Sequence, residues 1–282
     1  MNGFRAADGI NSLEYLTAGD PDGRPLVVLN SMEYPGWPPA EFCHLAAAAG
    51  FRTISIRRPG FGRNPSLPDA QQQAQLVADF LSAEGLCDAV LVALGTANPV
   101  AYRLARMCPD ISFVVFANCA FNFDHISGFR PEWFVRALEQ ALQSPAGARL
   151  SLMGLKSSWG VFGRTWVHEN ILQKSPGDLG FLNDHPELVD DAIRGLIRDL
   201  DVKTFMLEVA GSLNDDPVLT DDCFGEVRAL LVSGRETTPF WQEGIEREAH
   251  RVGVPVAYLP SGDMMCVYRS PVEFFAVLRE HV

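Results

Sequence analysis

Short apolar runs alternate with amphipathic stretches through the first 120 residues. Residues 26–29, 53–56, 89–93 and 113–117 form nearly continuous runs rich in Val, Ile, Leu and Phe. Runs of this kind are typical of strands that are covered on both faces. Between them, residues 41–49 and 70–84 carry apolar positions at spacings of three and four, which predicts helices. The alternation predicts the α/β class, with a mostly parallel central sheet and helices on both faces.

The middle of the chain has a different pattern. Residues 124–213 contain no convincing strand, and 131–143 and 186–200 are the clearest predicted helices, each opening with Pro as a first helical turn permits. The α/β pattern then resumes, with strands at 229–233 and 254–259 and a closing helix at 271–281. We therefore expect a core from residues 1–123 and 214–282, interrupted by an all-helical cap at 124–213. Such insertions often cover the carboxyl edge of a sheet, where ligands bind.

Composition narrows the function class. The 282 residues are 47% hydrophobic and 21% charged, as in a folded globular protein, and the net charge of −12 disfavours binding to nucleic acid or to an anionic membrane. The amino-terminal residues have no apolar signal region, and no run of about 18 apolar residues occurs, so neither secretion nor membrane spanning is expected. Six scattered cysteines without a CxxC pair indicate reduced, mostly buried thiols and a cytoplasmic location. The His spacing indicates no metal site, and no cofactor is expected.

Several segments, read in order, resemble the α/β-hydrolase superfamily, in particular its enol-lactonase-like and epoxide-hydrolase-like members with a helical cap. LVVLNSMEYPG at 26–36 is similar to the strand and oxyanion loop, with Asn30-Ser31-Met32 close to the N-S-L of enol-lactonase-like members. SIRRPGFGRNP at 55–65 is similar to the loop after the next strand, and AVLVALGTANPVAYRLAR at 89–106 to the nucleophile-elbow strand and helix. LPSGDMMCVYRSPVEFF at 259–275 is similar to the loop that usually carries G-H. The resemblance implies the α/β-hydrolase fold over nearly the whole chain.

The same resemblance implies that the catalytic triad is substituted. The family places its nucleophile at a sharp strand-to-helix turn, G-x-S-x-G, where the flanking positions must be small. Here Ala93 and Ala97 supply small flanks, but Gly95 stands at the nucleophile position. Glycine adopts a positive φ without strain, so the turn is expected to form without a reactive atom.

The other two triad members are replaced as well. The general base would follow Gly262, where the sequence has Asp263, and the acid would stand at Thr237 or Thr238. Loss of the nucleophile alone would abolish acyl-enzyme catalysis. We therefore expect no ordinary serine hydrolase.

Some groups could still bind a ligand or act in a rebuilt site. The backbone amides of Met32 and Thr96 correspond to the oxyanion donors of the family. The candidate ligand contacts are Met32, Gly95, Thr96, Thr238 and Asp263. The Thr96 hydroxyl could serve as a relocated nucleophile, although a hydroxyl in the first turn of a helix is the commoner interpretation. Asn98-Pro99 predicts an N-cap followed by a first-turn Pro, which would start the helix later than in the family.

Three acidic or basic residues are further catalytic candidates. Asp124 and His125 follow the strand at 113–117, where they could supply an acid and a base or form a polar loop at the hinge of the cap. Asp263 could act as an acid or base with a raised pKa under an apolar cap, or could cap a turn or pair with an Arg. Arg57 and Arg58 are expected to bond loop carbonyls.

Three functional hypotheses follow. The first is a protein of this fold that lacks the triad and binds a small apolar or carbonyl-containing ligand as a sensor, carrier or non-hydrolytic enzyme. The second is an active hydrolase, lactonase or lyase that uses relocated residues, namely Asp263, Asp124, His125 or Thr96. The third is a scaffold whose pocket has filled in. A homo-oligomer is possible under each.

Overall fold

A computed structural model describes residues 2–6, 11–32, 36–124, 127, 131–170, 175–188 and 200–282. Its strands are β1 (Asn2–Arg5), β2 (Ser12–Ala18), β3 (Arg24–Leu29), β4 (Phe51–Ile56), β5 (Ala89–Leu94), β6 (Ile111–Ala117), β7 (Ala229–Gly234) and β8 (Val256–Leu259). Within these residues they form one eight-stranded sheet in the order β1-β2-β4-β3-β5-β6-β7-β8. The pairs β1–β2 and β2–β4 are antiparallel, and every other neighbouring pair is parallel.

Helices flank the sheet, and others lie in the segment between β6 and β7. The helices outside that segment are α1 (Ala40–Ala48), α2 (Ala70–Ala83), α3 (Asn98–Met107), α8 (Pro239–Val252), α9 (Cys266–Arg269) and α10 (Pro271–Arg279). The helices inside it are α4 (Glu132–Leu142), α5 (Pro145–Asn170), α6 (Pro176–Asp184) and α7 (Val202–Leu213). Helix α5 is interrupted at Gly163, where φ is +79°. We call α4 to α7 the helical insertion.

The apolar runs form strands because both faces of the sheet are covered. In β3, Val27 and Leu29 pack into one cluster with α2, α3 and α8, whereas Leu26 and Val28 pack into a second cluster with α1 and α10. All six residues of β5 are buried. Full burial of such side chains contributes about 1.5–3 kcal/mol each, which explains why continuous apolar runs specify this layered arrangement.

The predicted α/β class is confirmed, and all six predicted strands are present with bounds shifted by up to two residues. The antiparallel strands β1 and β2 were not predicted. Four predicted helices correspond to α1, α2, α4 and α10. Residues 189–199 of the fifth, predicted at 186–200, lie outside the described residues. Between β6 and β7, the described residues contain no strand, as the sequence predicts.

The helical insertion packs on the loop that follows β4. Phe61 of this loop is 1% exposed and belongs to a third apolar cluster with Leu152, Trp159 and Phe205 of the insertion. Helix α7 also contacts residues 95–97, which follow β5 at the carboxyl edge of the parallel strands. None of the described helices has the length and apolar character needed to cross a lipid bilayer.

Candidate functional site

The candidate site lies where the parallel strands β3, β4, β5, β7 and β8 end. Asn30 and Ser31 follow β3, and Gly95 follows the adjacent β5. Thr237 follows β7, and Asp263 lies in the loop after β8. Because the carboxyl ends of parallel strands meet at one edge of a sheet, residues far apart in sequence converge there.

Gly95 forms the sharp turn between β5 and α3. Its φ is +50°, and residues 95–97 make a single 3₁₀ turn before the α-helix begins. Ala93 and Ala97 are fully buried on either side. The predicted turn, with glycine at a positive φ, is therefore confirmed. A Cβ atom added to Gly95 would lie 2.9 Å from Ser31 Oγ and 3.2 Å from Ser31 Cβ, so Ser31 fills the space into which a side chain at position 95 would project.

The helix after this turn does not begin as the sequence indicates. Asn98 is the first residue of α3 and not its N-cap, so that prediction is wrong. Its side-chain amide donates instead to the carbonyl oxygens of Gly95 at 2.8 Å and Ala117 at 3.2 Å. These bonds tie the turn to the end of β6. Asn98 is 2% exposed, and a buried amide nitrogen of this kind requires acceptors.

The two expected oxyanion amides, those of Met32 and Thr96, each donate to a side-chain hydroxyl of the protein. Met32 N–H donates to Thr96 Oγ1 at 2.8 Å, and Thr96 N–H donates to Ser31 Oγ at 3.4 Å. Both amides are thus engaged within the protein. Ligand binding by the amides of Met32 and Thr96 stays a prediction, and for Met32 it requires the Thr96 hydroxyl to move.

A buried arginine supports this hydroxyl. Arg58 donates from Nη2 to Thr96 Oγ1 at 3.2 Å and from Nε to the Asn30 carbonyl at 2.9 Å. The contact with the Asn30 carbonyl agrees with the role expected for Arg58, but the main partner of the Arg58 guanidinium is Glu208 of α7. The pair is bidentate, with Nη1–Oε1 at 2.5 Å and Nη2–Oε2 at 2.7 Å, and each side chain is 2% exposed. Two parallel charge-assisted bonds fix the guanidinium plane, and with it the Thr96 hydroxyl.

Asp263 and Thr237 form a direct pair. Thr237 Oγ1 donates to Asp263 Oδ1 at 2.9 Å, and Thr237 is buried. Of the two threonines that the sequence left open, Thr237 therefore contacts Asp263. Thr238, the one expected to contact a ligand, is exposed at the start of α8.

A carboxylate of the helical insertion holds the loop that carries Asp263. Asp178 of α6 is fully buried and accepts the backbone N–H groups of Asp263 at 3.2 Å and Met265 at 3.1 Å. Arg269 donates to Asp178 at 3.2 Å and also pairs with Glu236. The hydrogen bond from Arg269 lowers the pKa of Glu236. Sequence reasoning missed Asp178, since its local pattern, Ser175 three residues before it, indicates only a helix cap, and Ser175 does accept the Asp178 N–H.

A small cavity separates the Gly95 turn from this loop. Its volume is about 10 Å³, enough for roughly one water-sized group. The cavity is lined by Asn30, Ser31, Leu94, Gly95, Met264, Met265 and Tyr268. The hydroxyl of Tyr268 donates to Asn30 Oδ1 at 2.5 Å, and burial raises the pKa of Tyr268. The lining residues are all uncharged.

Of the two remaining catalytic candidates, Asp124 and His125, the structure describes Asp124, which does not line this cavity. The Asp124 side chain is 58% exposed and pairs with Arg136 of α4 at 3.1 Å. His125 lies outside the described residues. Within the described ranges, no group of three His, Cys, Asp or Glu side chains could hold a metal ion.

The predicted thiol environment is largely confirmed. Four cysteines, Cys43, Cys108, Cys119 and Cys266, are buried, and Cys223 is half-buried. Cys87 is exposed.

Comparison with known proteins agrees with this geometry. Residues 26–277 match the alpha/beta hydrolase family, whereas a comparison with curated proteins finds no match. Among solved structures, the enol-lactonase from Burkholderia xenovorans LB400 is 14% identical, with a TM-score of 0.65 over 99% of this chain and 98% of that chain. A thermophilic esterase from Thermogutta terrifontis is 15% identical, with a TM-score of 0.66 over 100% of both chains. A bromoperoxidase from Bacillus anthracis is 18% identical, with a TM-score of 0.64 over 95% of both chains. These structural likenesses establish the fold, and the family match covers most of the sequence. The chain belongs to the alpha/beta hydrolase family.

Proposed function

We propose that this protein binds a small apolar or carbonyl-containing ligand beside the Gly95 turn and does not form an acyl-enzyme. The observation that carries the proposal is the turn itself. Gly95 has no side chain, and Ser31 Oγ lies 2.9 Å from where its Cβ would stand. Covalent acyl transfer requires an activated nucleophile at such a turn, and position 95 offers none.

The other substituted positions support the same proposal. Asp263 accepts a hydrogen bond from Thr237. At the two positions where the family resemblance places an imidazole and a carboxylate, this chain therefore has a carboxylate and a hydroxyl. An imidazole serves as a general base because its reference pKa lies near neutral pH, and neither Thr237 nor Asp263 offers that chemistry unaided. The Thr96 hydroxyl accepts two hydrogen bonds from the protein, which favours a structural role over a relocated nucleophile.

The alternative is an active hydrolase, lactonase or lyase that uses relocated groups. Asp263 is the described residue that favours it, because it precedes the cavity-lining Met264 and is half-buried. The similar structures include an enol-lactonase, an esterase and a bromoperoxidase, and these activities are those of the similar proteins. Only a measurement of turnover separates the two functions.

The test is hydrolysis of p-nitrophenyl acetate, butyrate and hexanoate by the purified protein and by Gly95→Ser, Thr96→Ala and Asp263→Asn. Glu273→Gln, which alters an exposed carboxylate of α10, serves as the matched control. We expect no protein-dependent turnover by the wild type, and none by Gly95→Ser, because a serine there would still lack an imidazole base. Wild-type turnover that Asp263→Asn or Thr96→Ala abolishes, while Glu273→Gln retains it, would establish the alternative.

A further inference from the structure

The hydrogen-bond directions around Thr96 determine how its hydroxyl is used. A threonine oxygen has two lone pairs and one hydrogen. The lone pairs accept Met32 N–H at 2.8 Å and Arg58 Nη2–H at 3.2 Å, and both of these groups can only donate. The Thr96 hydrogen must therefore point away from them. Ser31 Oγ lies 3.4 Å from Thr96 Oγ1, and because both lone pairs of Thr96 are occupied, Ser31 is the acceptor in this pair.

The direction of the Ser31 hydroxyl follows from the same accounting. Ser31 Oγ accepts from the Thr96 hydroxyl and from Thr96 N–H, both at 3.4 Å. Within the described part of the chain these are the hydrogen bonds of Ser31 Oγ. With its lone pairs turned toward Thr96, the Ser31 hydroxyl presents its hydrogen to the small cavity beside Gly95, which Ser31 lines. A donor chain then runs from Arg58 through Thr96 to Ser31, and successive bonds in such a chain polarise one another.

The geometry points to Ser31 as a ligand-binding residue that donates its hydroxyl hydrogen to the carbonyl oxygen of a neutral ligand such as an ester, lactone or ketone. The cavity of about 10 Å³ has room for one such oxygen atom. That oxygen would lie beside Ser31 Oγ, in the cavity that borders Gly95. This inference rests on the proposed function, for which it names the binding group and the ligand class.

Charge selects a neutral carbonyl over a carboxylate. The lining residues are uncharged, and the cation behind them, Arg58, already has both terminal nitrogens bonded to Glu208. Asp263 adjoins the lining residue Met264 and would repel an anion. A buried carboxylate without an opposite charge or several donors is strongly disfavoured, whereas a carbonyl oxygen needs one or two hydrogen bonds.

The test compares an ester with two probes, each of which differs from it by one group. Methyl butyrate carries the carbonyl, butyl methyl ether replaces it with a methylene group, and sodium butyrate carries a charge. Titrations followed by saturation-transfer NMR give the affinity of each probe for the wild type, Ser31→Ala and Ser31→Cys. Ser55→Ala removes a buried hydroxyl of β4 that makes no side-chain hydrogen bond, and is the matched control.

We expect Ser31→Ala to weaken methyl butyrate binding about fivefold, the loss of one neutral hydrogen bond, without changing ether binding. Ser31→Cys, which keeps the shape and a weak donor, should give an intermediate loss, and Ser55→Ala should bind all probes as the wild type does. Sodium butyrate should bind the wild type at least about tenfold more weakly than the ester. Equal ester affinity in Ser31→Ala and the wild type, tighter binding of butyrate than of the ester, or no ester binding by the wild type would each overturn the inference. Release of methanol in the same spectra would count against the proposed function and not against the Ser31 contact.

Discussion

Arg58 and Glu208 form a bidentate ion pair in which each side chain is 2% exposed, and the pair joins the loop after β4 to α7 of the helical insertion. Two ions removed from water lose hydration, and here both oxygens of the carboxylate are matched by guanidinium nitrogens. The same guanidinium reaches Thr96 Oγ1, so the ion pair couples the insertion to the Gly95 turn.

Breaking this pair from one side should be costly. We expect Glu208→Gln or Arg58→Met to lower the free energy of unfolding by about 3–5 kcal/mol, because the remaining charge stays buried without its partner. The double variant Arg58→Met/Glu208→Leu should recover most of that loss. Urea unfolding followed by circular dichroism measures all three. Arg136→Ala, which breaks a surface pair with Asp124, is the control and should leave the midpoint near that of the wild type. A single variant as stable as the wild type would contradict the expected burial of the pair.

Gly95→Ala should destabilise the protein for two separable reasons. A left-handed backbone costs a non-glycine residue about 1–2 kcal/mol, and crowding in a packed site costs about 1–3 kcal/mol more. Gly85 has φ of +63° and open space around its missing side chain, so Gly85→Ala reports the backbone cost alone. In urea unfolding, we expect Gly95→Ala to lower the free energy of unfolding more than Gly85→Ala does. Adding Ser31→Gly to Gly95→Ala should reduce the difference between the two alanine variants. Equal losses for the two alanine variants would show that Ser31 does not crowd position 95.

The parallel part of the fold is predictable from the sequence because its strands are buried on both faces. Most buried positions in such strands are apolar, and β5, in which all six residues are apolar and buried, is the clearest example. Of the antiparallel strands, β1 forms the edge of the sheet and β2 lies beside it, and Leu13 is the one fully buried residue in β2. Strands with so few buried positions leave no apolar run in the sequence.

The candidate site is predictable only where it depends on neighbouring residues. The turn at Gly95 can be predicted, because it depends on one strand, one helix and two small flanking residues that adjoin it in the sequence. The partners of Arg58 and Asp263 cannot be predicted in this way, since Glu208 lies 150 residues from Arg58 and Asp178 lies 85 residues from Asp263. A sequence records that Arg58 is charged, but the identity of the carboxylate that neutralises it depends on how the insertion packs.

Thiol reactivity should follow burial. A thiolate reacts with disulfide reagents and a thiol does not, and burial raises the pKa of Cys119 to about 12 and also raises that of Cys266. In the native protein at pH 8, a chromogenic disulfide reagent should therefore modify the exposed Cys87 quickly and Cys119 and Cys266 only as the protein unfolds. Cys87→Ala should remove the fast phase, and urea should expose the buried thiols. A fast phase that persists in Cys87→Ala would contradict the assignment.

The Glu236–Arg269 contact should make stability depend on pH in the acid range. The hydrogen bond from Arg269 lowers the pKa of Glu236 below the ordinary value of 4.5. Above pH 4.5 the Glu236 carboxylate is charged in both states, and the contact contributes its full stabilisation. As pH falls below 4.5, Glu236 is protonated first in the unfolded chain, because its pKa is lower in the folded protein. The stabilisation is therefore lost as pH falls through the folded-state pKa. The effect should be small, because 32% of the Glu236 side chain is exposed to solvent.

Urea unfolding between pH 6 and pH 3 tests this dependence. Glu236→Gln should be less stable than the wild type at pH 6 and should converge with it at pH 3, since the neutral amide has no proton to gain. Glu273→Gln, which alters an exposed glutamate of α10, is the control and should follow the wild type throughout. A constant difference between Glu236→Gln and the wild type across this range would mean that Glu236 stabilises the fold by packing and not through its charge.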